Sequence, residues 1–329
     1  MKNRMCVALP VLATVLLGLG TFSCNSAKPA GDTTSADTST RTQPATQPAT
    51  QPQPNLDTQR QQAEQQSRPG VEKERKKAED EAGRNLDQDA MAAISETQKA
   101  IDAITSNKSD QALAAIERAT GKINVLLARN PATAIIPVSV NVDIIDAAPH
   151  DVKLIKDLGQ QASTAVAAKD YPAARVLLAA LTSEIRVRTY NLPLATYPDA
   201  LKAAARLLDQ KKQQDASDVL LTALNTLLVV DRVTPLPLVI AREAINSAKA
   251  QSQNDKQMAQ TLVQTAKNEV ERAKELGYAP QAPEYEDLRA DITNLEKQLK
   301  GNSDAGSLFA KLEDKLSAFM KRQSQQERR

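Results

Sequence analysis

An apolar pattern of four residues recurs along the chain at a regular spacing. Ala173, Val176, Leu177 and Ala180 are repeated 43 residues later and again after a further 43, and a fainter copy lies 61 residues upstream. The other copies are Ala216, Val219, Leu220 and Ala223; Ala259, Leu262, Val263 and Ala266; and Ala112, Ala115, Ile116 and Ala119. Positions three and four apart share a helix face. A period of this length is typical of stacked helical units that cover each other's apolar faces. The sequence therefore predicts a mainly α fold of stacked helical hairpins with a period of about 43.

The composition excludes several classes of function. The 42 basic residues are nearly balanced by 40 acidic ones, which gives no electrostatic case for a nucleic-acid partner. Aromatic residues make up 2% of the chain and Trp is absent, so base-stacking platforms have little to draw on. Glycine is scarce, and the sequence holds no glycine-rich phosphate loop.

The N-terminus resembles an export signal. Lys2 and Arg4 precede an apolar stretch at 7–19 that is short for a membrane span, and Ser23 and Cys24 follow. This junction resembles a bacterial lipobox, which predicts a signal peptide over 1–23 and lipid attachment at Cys24. The alternative is ordinary signal-peptidase cleavage after Ser23. We expect the protein in the periplasm or cell envelope, held to a membrane only by this lipid anchor.

The rest of the chain divides by composition. Residues 24–56 are rich in Ser, Thr, Pro, Ala and Gln and are expected to form a disordered tether, because such a segment buries little apolar surface. Residues 57–84 are predicted to be a charged linker or helix, 85–279 a helical domain, and 280–329 a C-terminal helical hairpin. Apart from Cys24 the only cysteine lies in the signal peptide, so no disulfide framework or thiol chemistry is expected.

Two kinds of periodicity alternate within the helical domain. Helices at 86–104 and 109–127, the second capped by Ser109, form a first hairpin. Further helices are predicted at about 151–168, 171–183, 198–211, 214–228, 237–251 and 255–276. Residues 136–144, 185–189 and 228–233 alternate or are β-branched and are predicted to be extended crossings between hairpins, with pairing into a small β-sheet as an option.

Two apolar stripes mark the C-terminal hairpin. They are formed by Leu288, Ile292, Leu295 and Leu299 and by Leu308, Leu312, Leu316 and Phe319. Either the stripes pack into the core beside the repeats, or they form a coiled-coil interface between subunits.

Segments rich in Leu and Pro carry a resemblance to a known family. These are 191–198 (Asn-Leu-Pro-Leu-Ala-Thr-Tyr-Pro) and 234–238 (Thr-Pro-Leu-Pro-Leu), with 220–227 (Leu-Leu-Thr-Ala-Leu-Asn-Thr-Leu) between them. Over about 88–272 the chain resembles the YfdX family of exported bacterial proteins. The resemblance implies a mostly helical, periplasmic, self-associating protein linked to acid stress and multidrug responses. It implies chaperone-like or small-molecule-binding roles and carries over no catalytic residue.

The Leu-Pro segments also have a physical interpretation. Proline disfavours helix in the residue before it, so each segment makes a rigid extended corner between hairpins, and the flanking leucines reach the core. The alternative is a proline-lined groove for a ligand or peptide. The motif residues are Leu192, Pro193, Leu194, Tyr197, Pro198, Pro235, Leu236 and Pro237.

Few residues suggest chemistry. His150 is the only histidine, is expected in the first turn of a helix, and could act as a pH sensor near its ordinary pKa of about 6.5. With one histidine and no usable cysteine, a zinc site is not expected, and no nucleophile signature is present. We therefore predict no enzyme, no metal and no cofactor.

Two functions remain open. The first is a stress-associated envelope protein that binds unfolded clients or small amphipathic molecules and forms a homo-oligomer that loosens in acid. The alternative is a structural or scaffold lipoprotein that binds a protein partner through its helical repeats.

Overall fold

The structure, a computed structural model, describes residues 56–301 and 305–326. Within them it contains eleven helices and one three-stranded antiparallel sheet, which confirms the predicted fold class. The signal peptide, Cys24 and all but the last residue of the tether lie outside the described residues.

The elements follow one another as hairpins and strands. The first part of the chain forms α1 (Leu56–Gly83), α2 (Gln88–Thr105), α3 (Ser109–Arg129), β1 (Ile135–Asp146), α4 (Val152–Ala167), α5 (Tyr171–Ala179) and β2 (Ser183–Pro193). The second part forms α6 (Tyr197–Asp209), α7 (Gln213–Asn225), β3 (Leu228–Pro235), α8 (Leu236–Gln251), α9 (Lys256–Glu275), α10 (Glu284–Lys300) and α11 (Gly306–Gln326).

The sheet has the order β1-β2-β3, with both pairs antiparallel. Val187 in the central strand lies opposite Val142 on one side and Arg232 on the other. Because successive strands run in opposite directions, the helical hairpins that connect them leave the sheet at alternate ends. The α2–α3 and α6–α7 hairpins therefore share one end, and α4–α5 and α8–α9 share the other.

Three of the hairpins use the same turn. Asn107, Lys169 and Lys211 have φ values of 57°, 60° and 60°, and the next N–H in each turn donates to a carbonyl five residues back. This is the Schellman arrangement, which satisfies carbonyls at a helix end. Helix α3, which follows the first of these turns, begins at Ser109 with Lys108 as its N-cap. No side chain bonds the free N–H groups at its start. The prediction that Ser109 caps this helix was therefore wrong.

The turns also define the repeat more closely than the sequence pattern does. The second helices of the four hairpins begin 62, 42 and 43 residues apart, so the second copy is shifted by one residue from the expected register. The fourth residue of these helices is Ala in every copy: Ala112, Ala174, Ala216 and Ala259. The eighth is a large apolar residue: Ile116, Leu178, Leu220 and Val263.

One hydrophobic core lies at the α2–α3 end of the sheet. The two hairpins there pack as a four-helix bundle closed by the start of β1. At its centre the Tyr197 hydroxyl of α6 donates to Thr97 Oγ1 of α2 at 2.8 Å, so the buried hydroxyls are satisfied. Burial raises the pKa of Tyr197 to about 12, despite that hydrogen bond.

A second core lies at the other end, around α8 and α9. Helices α1, α10 and α11 cover this hairpin together with the second half of β1. Both C-terminal stripes face this core: Leu288, Ile292, Leu295, Leu299, Leu312, Leu316 and Phe319 are buried and Leu308 is partly buried. The structure thus favours core packing over an interface between subunits for these stripes.

The segment at 57–84, predicted to be a charged linker or helix, is helical in the structure and forms nearly all of α1. It continues through Pro69 and packs on α8, where Arg242 bonds Glu74 at 3.0 Å. A Cβ atom at Gly70 would collide with the side chain of Glu243, so glycine permits the close approach of these helices.

The Leu-Pro corners lie where strands end and helices begin. Leu192, Pro193, Leu194, Tyr197, Pro235, Leu236 and Pro237 are buried, and Pro198 is half-buried. Pro193 and Pro235 end β2 and β3, whereas Pro198 and Pro237 stand in the first turns of α6 and α8, where a missing N–H costs little. This placement favours the structural interpretation over a ligand groove.

We expect Leu192→Ala to lower the free energy of unfolding by about 2–5 kcal/mol, because it leaves a cavity at a fully buried position. Urea unfolding followed by circular dichroism measures the loss. Leu221→Ala, at an exposed position of α7, is the matched control and should change stability by less than about 0.5 kcal/mol. Equal losses in the two variants would contradict the burial of the corner.

Candidate functional site: the α4–α5 hairpin and its charged base

The α4–α5 hairpin differs from the other hairpins in how it is covered. None of its residues belongs to either hydrophobic core. Its neighbour at the same end of the sheet, α8–α9, is already covered by α1, α10 and α11, and meets it mainly through α9. The hairpin buries Ile155, Ala162 and Ala174, which lie toward its base or between its two helices.

The uncovered residues occupy positions that are buried in the other repeats. Leu178 is 54% exposed, whereas its counterparts Ile116, Leu220 and Val263 are at most 2% exposed. Val166 is 50% exposed, although it stands at the same distance before its turn as the buried Ile104 and Leu208. The hairpin therefore carries the sequence of a packed repeat without the covering partner.

Further apolar side chains extend this surface. Leu154, Tyr171 and Val176 are all more than a third exposed, and Leu177 and Leu181 are partly exposed. We use the name hairpin face for Leu154, Val166, Tyr171, Val176, Leu177, Leu178 and Leu181 together. Several exposed apolar side chains on one hairpin are more than the single apolar residues that scatter over an ordinary protein surface.

A buried arginine fixes the base of the hairpin. Arg272 of α9 is 1% exposed, and its guanidinium donates to the carbonyls of Ala148 at 2.8 Å and Pro149 at 3.0 Å. It also bonds Asp146 at 2.7 Å and Glu269 at 3.2 Å. Burial lowers the pKa of Arg272, but the two carboxylates outweigh burial and hold it above its ordinary value. The segment that leads into α4 is thus held by one side chain.

A second set of bonds holds the segment that leaves the hairpin. The Ser183 hydroxyl donates to Asp146 at 2.7 Å, and the Ser183 N–H donates to the hydroxyl of Tyr278 at 3.1 Å. Burial raises the pKa of Tyr278 well above its ordinary value, so the phenol stays protonated and can donate to Glu184. Asp146 therefore connects both ends of the hairpin with α9.

His150 lies at this base, but not in a helix as predicted. The helix begins at Val152 with Asp151 as its N-cap, so His150 precedes the cap by one residue. The carbonyls of the two residues before it, Ala148 and Pro149, accept hydrogen bonds from Arg272. His150 Nδ1 is 3.8 Å from Glu269 Oε1, a pair that is charged only when the imidazole is protonated.

Asp291, which lies between α10 and α11, responds to acid in a defined way. Burial raises the pKa of Asp291, but hydrogen bonds from Lys315 and Lys311 lower it by more than burial raises it. The pKa therefore lies below its ordinary value of 3.8. A carboxylate with a lowered pKa stabilises the fold above its unfolded-state pKa. That stabilisation is lost as the pH falls through the folded-state value. The ion pairs of Asp291 with Lys311 and Lys315, which join α10 to α11, are therefore kept until the pH falls below the ordinary pKa of an aspartate.

The described part of the chain contains neither a group of metal-binding residues nor a membrane-spanning helix. No group of His, Cys, Asp and Glu there could hold a metal ion. Across residues 56–301 and 305–326, no helix is both long enough and apolar enough to cross a bilayer.

Sequence reasoning identified His150 but missed the residues around it. Arg272 and Tyr278 lie more than 90 residues from Asp146 and Ser183, and no local pattern connects them. The hairpin face was visible as one copy of the repeat, but its exposure depends on which other helices occupy the neighbouring space.

Comparisons with known proteins give one family match and one similar solved structure. A sequence model of the family described as YfdX protein matches residues 93–233. Among solved structures, a crystal structure of Salmonella Typhi YfdX is similar at 14% identity, with 46% of this chain and 93% of that chain covered and a TM-score of 0.31. No curated protein matches the sequence.

We expect Arg272→Met to lower the free energy of unfolding by about 3 kcal/mol, because Glu269 and two carbonyls lose a buried cation. Native-state hydrogen exchange should speed up in α4 and α5 more than in α6 and α7. Arg188→Met is the control, since its ion pair with Asp231 is partly exposed and should contribute less than about 1 kcal/mol. Unchanged exchange in the hairpin would show that Arg272 does not hold it.

Proposed function

We propose, since residues 93–233 match the YfdX family, that this protein is a non-enzymatic, stress-associated protein of the cell envelope. It binds apolar segments of other polypeptides through the hairpin face. The observation that supports this proposal is the exposure of Leu178 and Val166 at positions buried elsewhere in the repeat. A surface that fits a helical hairpin also fits an amphipathic helix of an unfolded client.

At neutral pH the hairpin face is covered by a second copy of the chain. Within one chain, α2–α3 and α6–α7 already pair as two hairpins of the same repeat. A second α4–α5 hairpin offers the same kind of surface, and a two-fold axis lets each hairpin cover the other. The homo-oligomer contact that we propose therefore lies on the α4–α5 hairpin.

Acid separates such a pair through charge. The hairpin carries four basic residues, Lys153, Lys156, Lys169 and Arg175, against two acidic ones, Asp157 and Asp170. This surplus of basic residues makes two facing copies repel as the protein gains positive charge in acid. An ion pair between Lys156 and Glu275 at 3.3 Å joins α4 to α9 at the base of the hairpin. The face then becomes available to clients.

The second candidate is a scaffold that binds a fixed envelope partner. The scaffold would bind its partner through the same hairpin face, but the partner would bind at neutral pH and remain bound in acid. The C-terminal hairpin offers less support for this function than the sequence suggested, because its apolar stripes are buried in the chain's own core.

The envelope location rests on the sequence. Cys24 follows an apolar segment with a basic start and precedes a Pro- and Gln-rich tether. We propose that Cys24 carries the lipid that holds the protein to a membrane.

We expect Leu178→Glu to disrupt both the homo-oligomer and client binding, because a carboxylate in the paired face would be desolvated without a partner. Light scattering at pH 7 should give a dimer for the unmutated protein and a monomer for the variant, with the dissociation constant raised at least about tenfold. At about pH 4 the unmutated protein should be monomeric, keep its helical circular dichroism, and suppress aggregation of an unfolding enzyme. The variant should suppress it much less.

Leu221→Glu is the matched control, because it adds the same charge to an exposed leucine of α7. It should behave as the unmutated protein does. An assembly unchanged down to about pH 3, without suppression of aggregation, would leave the scaffold as the better function. Equal effects of the two glutamates would show that the hairpin face is not the binding surface.

We expect Cys24→Ala to move the protein from the membrane fraction to the soluble periplasmic fraction, since stable anchoring depends on the attached acyl chains. Fractionation followed by mass spectrometry of the mature N-terminus measures this. An unmutated protein that is already soluble and begins at another residue would disprove the anchor.

A further inference from the structure

We infer that a cleft between α1, β1 and α8 binds a small amphipathic anion. The cleft has a volume of about 370 Å³ and lies on the side of the sheet that α1 covers. No residue of the hairpin face lines the cleft, although Asp146 and His150 from the base of the hairpin do. Most of the lining comes from helices outside the matched range 93–233. The inference therefore stands independently of the proposed function.

The floor of the cleft is apolar. Val71, Leu236 and Ile240 are packed against or belong to the second core, and Ile144 of β1 is 39% exposed above them. An exposed isoleucine beside buried aliphatic side chains gives a concave apolar surface. The volume lies at the low end of small-molecule sites, which suits an aliphatic chain of about ten carbons rather than a larger ligand.

The charges around the cleft select the head group. Both carboxylates in its wall are already engaged, Glu72 by Arg75 at 2.8 Å and Asp146 by Arg272 at 2.7 Å. Arg68 also lines the cleft, is exposed, and has no ion-pair partner among the described residues. A guanidinium beside an apolar floor is complementary to a carboxylate on an apolar chain.

Arginine also fits this role geometrically. Its planar guanidinium can donate two parallel hydrogen bonds to a carboxylate, so the head group would be oriented as well as attracted. The aliphatic tail would then lie along Ile144 and Ile240. A cationic amphiphile would meet Arg68 as a like charge, and a neutral alcohol would gain only the apolar contact.

Calorimetry with decanoate, decanol and decyltrimethylammonium, each below its micelle concentration, tests the inference on the mature chain. Decanoate should bind at one site per chain, at least about tenfold more tightly than decanol, with no saturable binding of the cation. Arg68→Gln should weaken decanoate about tenfold and remove its advantage over decanol. Ile144→Asn should weaken both decanoate and decanol.

Two matched controls separate this cleft from the rest of the surface. Arg206→Gln changes an exposed arginine of α6, and Leu228→Asn changes an exposed apolar residue of a strand. Neither should alter decanoate binding. Leu178→Glu, which should abolish client binding, should also leave decanoate binding unchanged. The inference is overturned if decanol binds as tightly as decanoate, if Arg68→Gln has no effect, or if Leu178→Glu removes the binding.

Discussion

The antiparallel sheet decides which hairpins can meet. Its three strands alternate in direction, so consecutive hairpins leave from opposite ends and only alternate hairpins are neighbours. At one end this pairs α2–α3 with α6–α7 into a closed bundle. At the other end the expected pair would be α4–α5 with α8–α9. Helices α1, α10 and α11 cover α8–α9 instead, and α4–α5 is left uncovered.

The consequence is a repeat protein with one unsatisfied repeat. A helical hairpin gains its stability from the apolar face that it buries, and α4–α5 keeps the residues for burial without the partner. Polar contacts at its base compensate in part. Arg272 binds two carbonyls and two carboxylates there, which fixes where the hairpin points while leaving its tip exposed. Such an element is well placed to exchange one apolar partner for another.

Periodicity in the sequence predicted most of the fold, because helix faces and strand alternation are local properties. The hairpins, the three extended segments and the buried leucines of the corners follow from spacing alone. The one-residue shift that puts Leu178 at the eighth position of its helix does not follow from spacing, since it depends on where the turn at Lys169 begins. The role of Arg272 could not be predicted either, because its partners at 146–149 lie more than 120 residues away in sequence. Exposure of the hairpin face depends on competition between helices for the same space.

Disulfide formation across the proposed two-fold contact tests the central claim most directly. The natural cysteines are Cys6 and Cys24, so a soluble form that begins after Cys24 and carries Leu178→Cys has one thiol. If the hairpin face covers itself in a second copy, mild oxidation at pH 7 should give a covalent dimer in high yield. Leu221→Cys, on the exposed side of α7, should remain a monomer. Equal and slow cross-linking of the two variants would contradict the account, because random collision does not distinguish one exposed leucine from another.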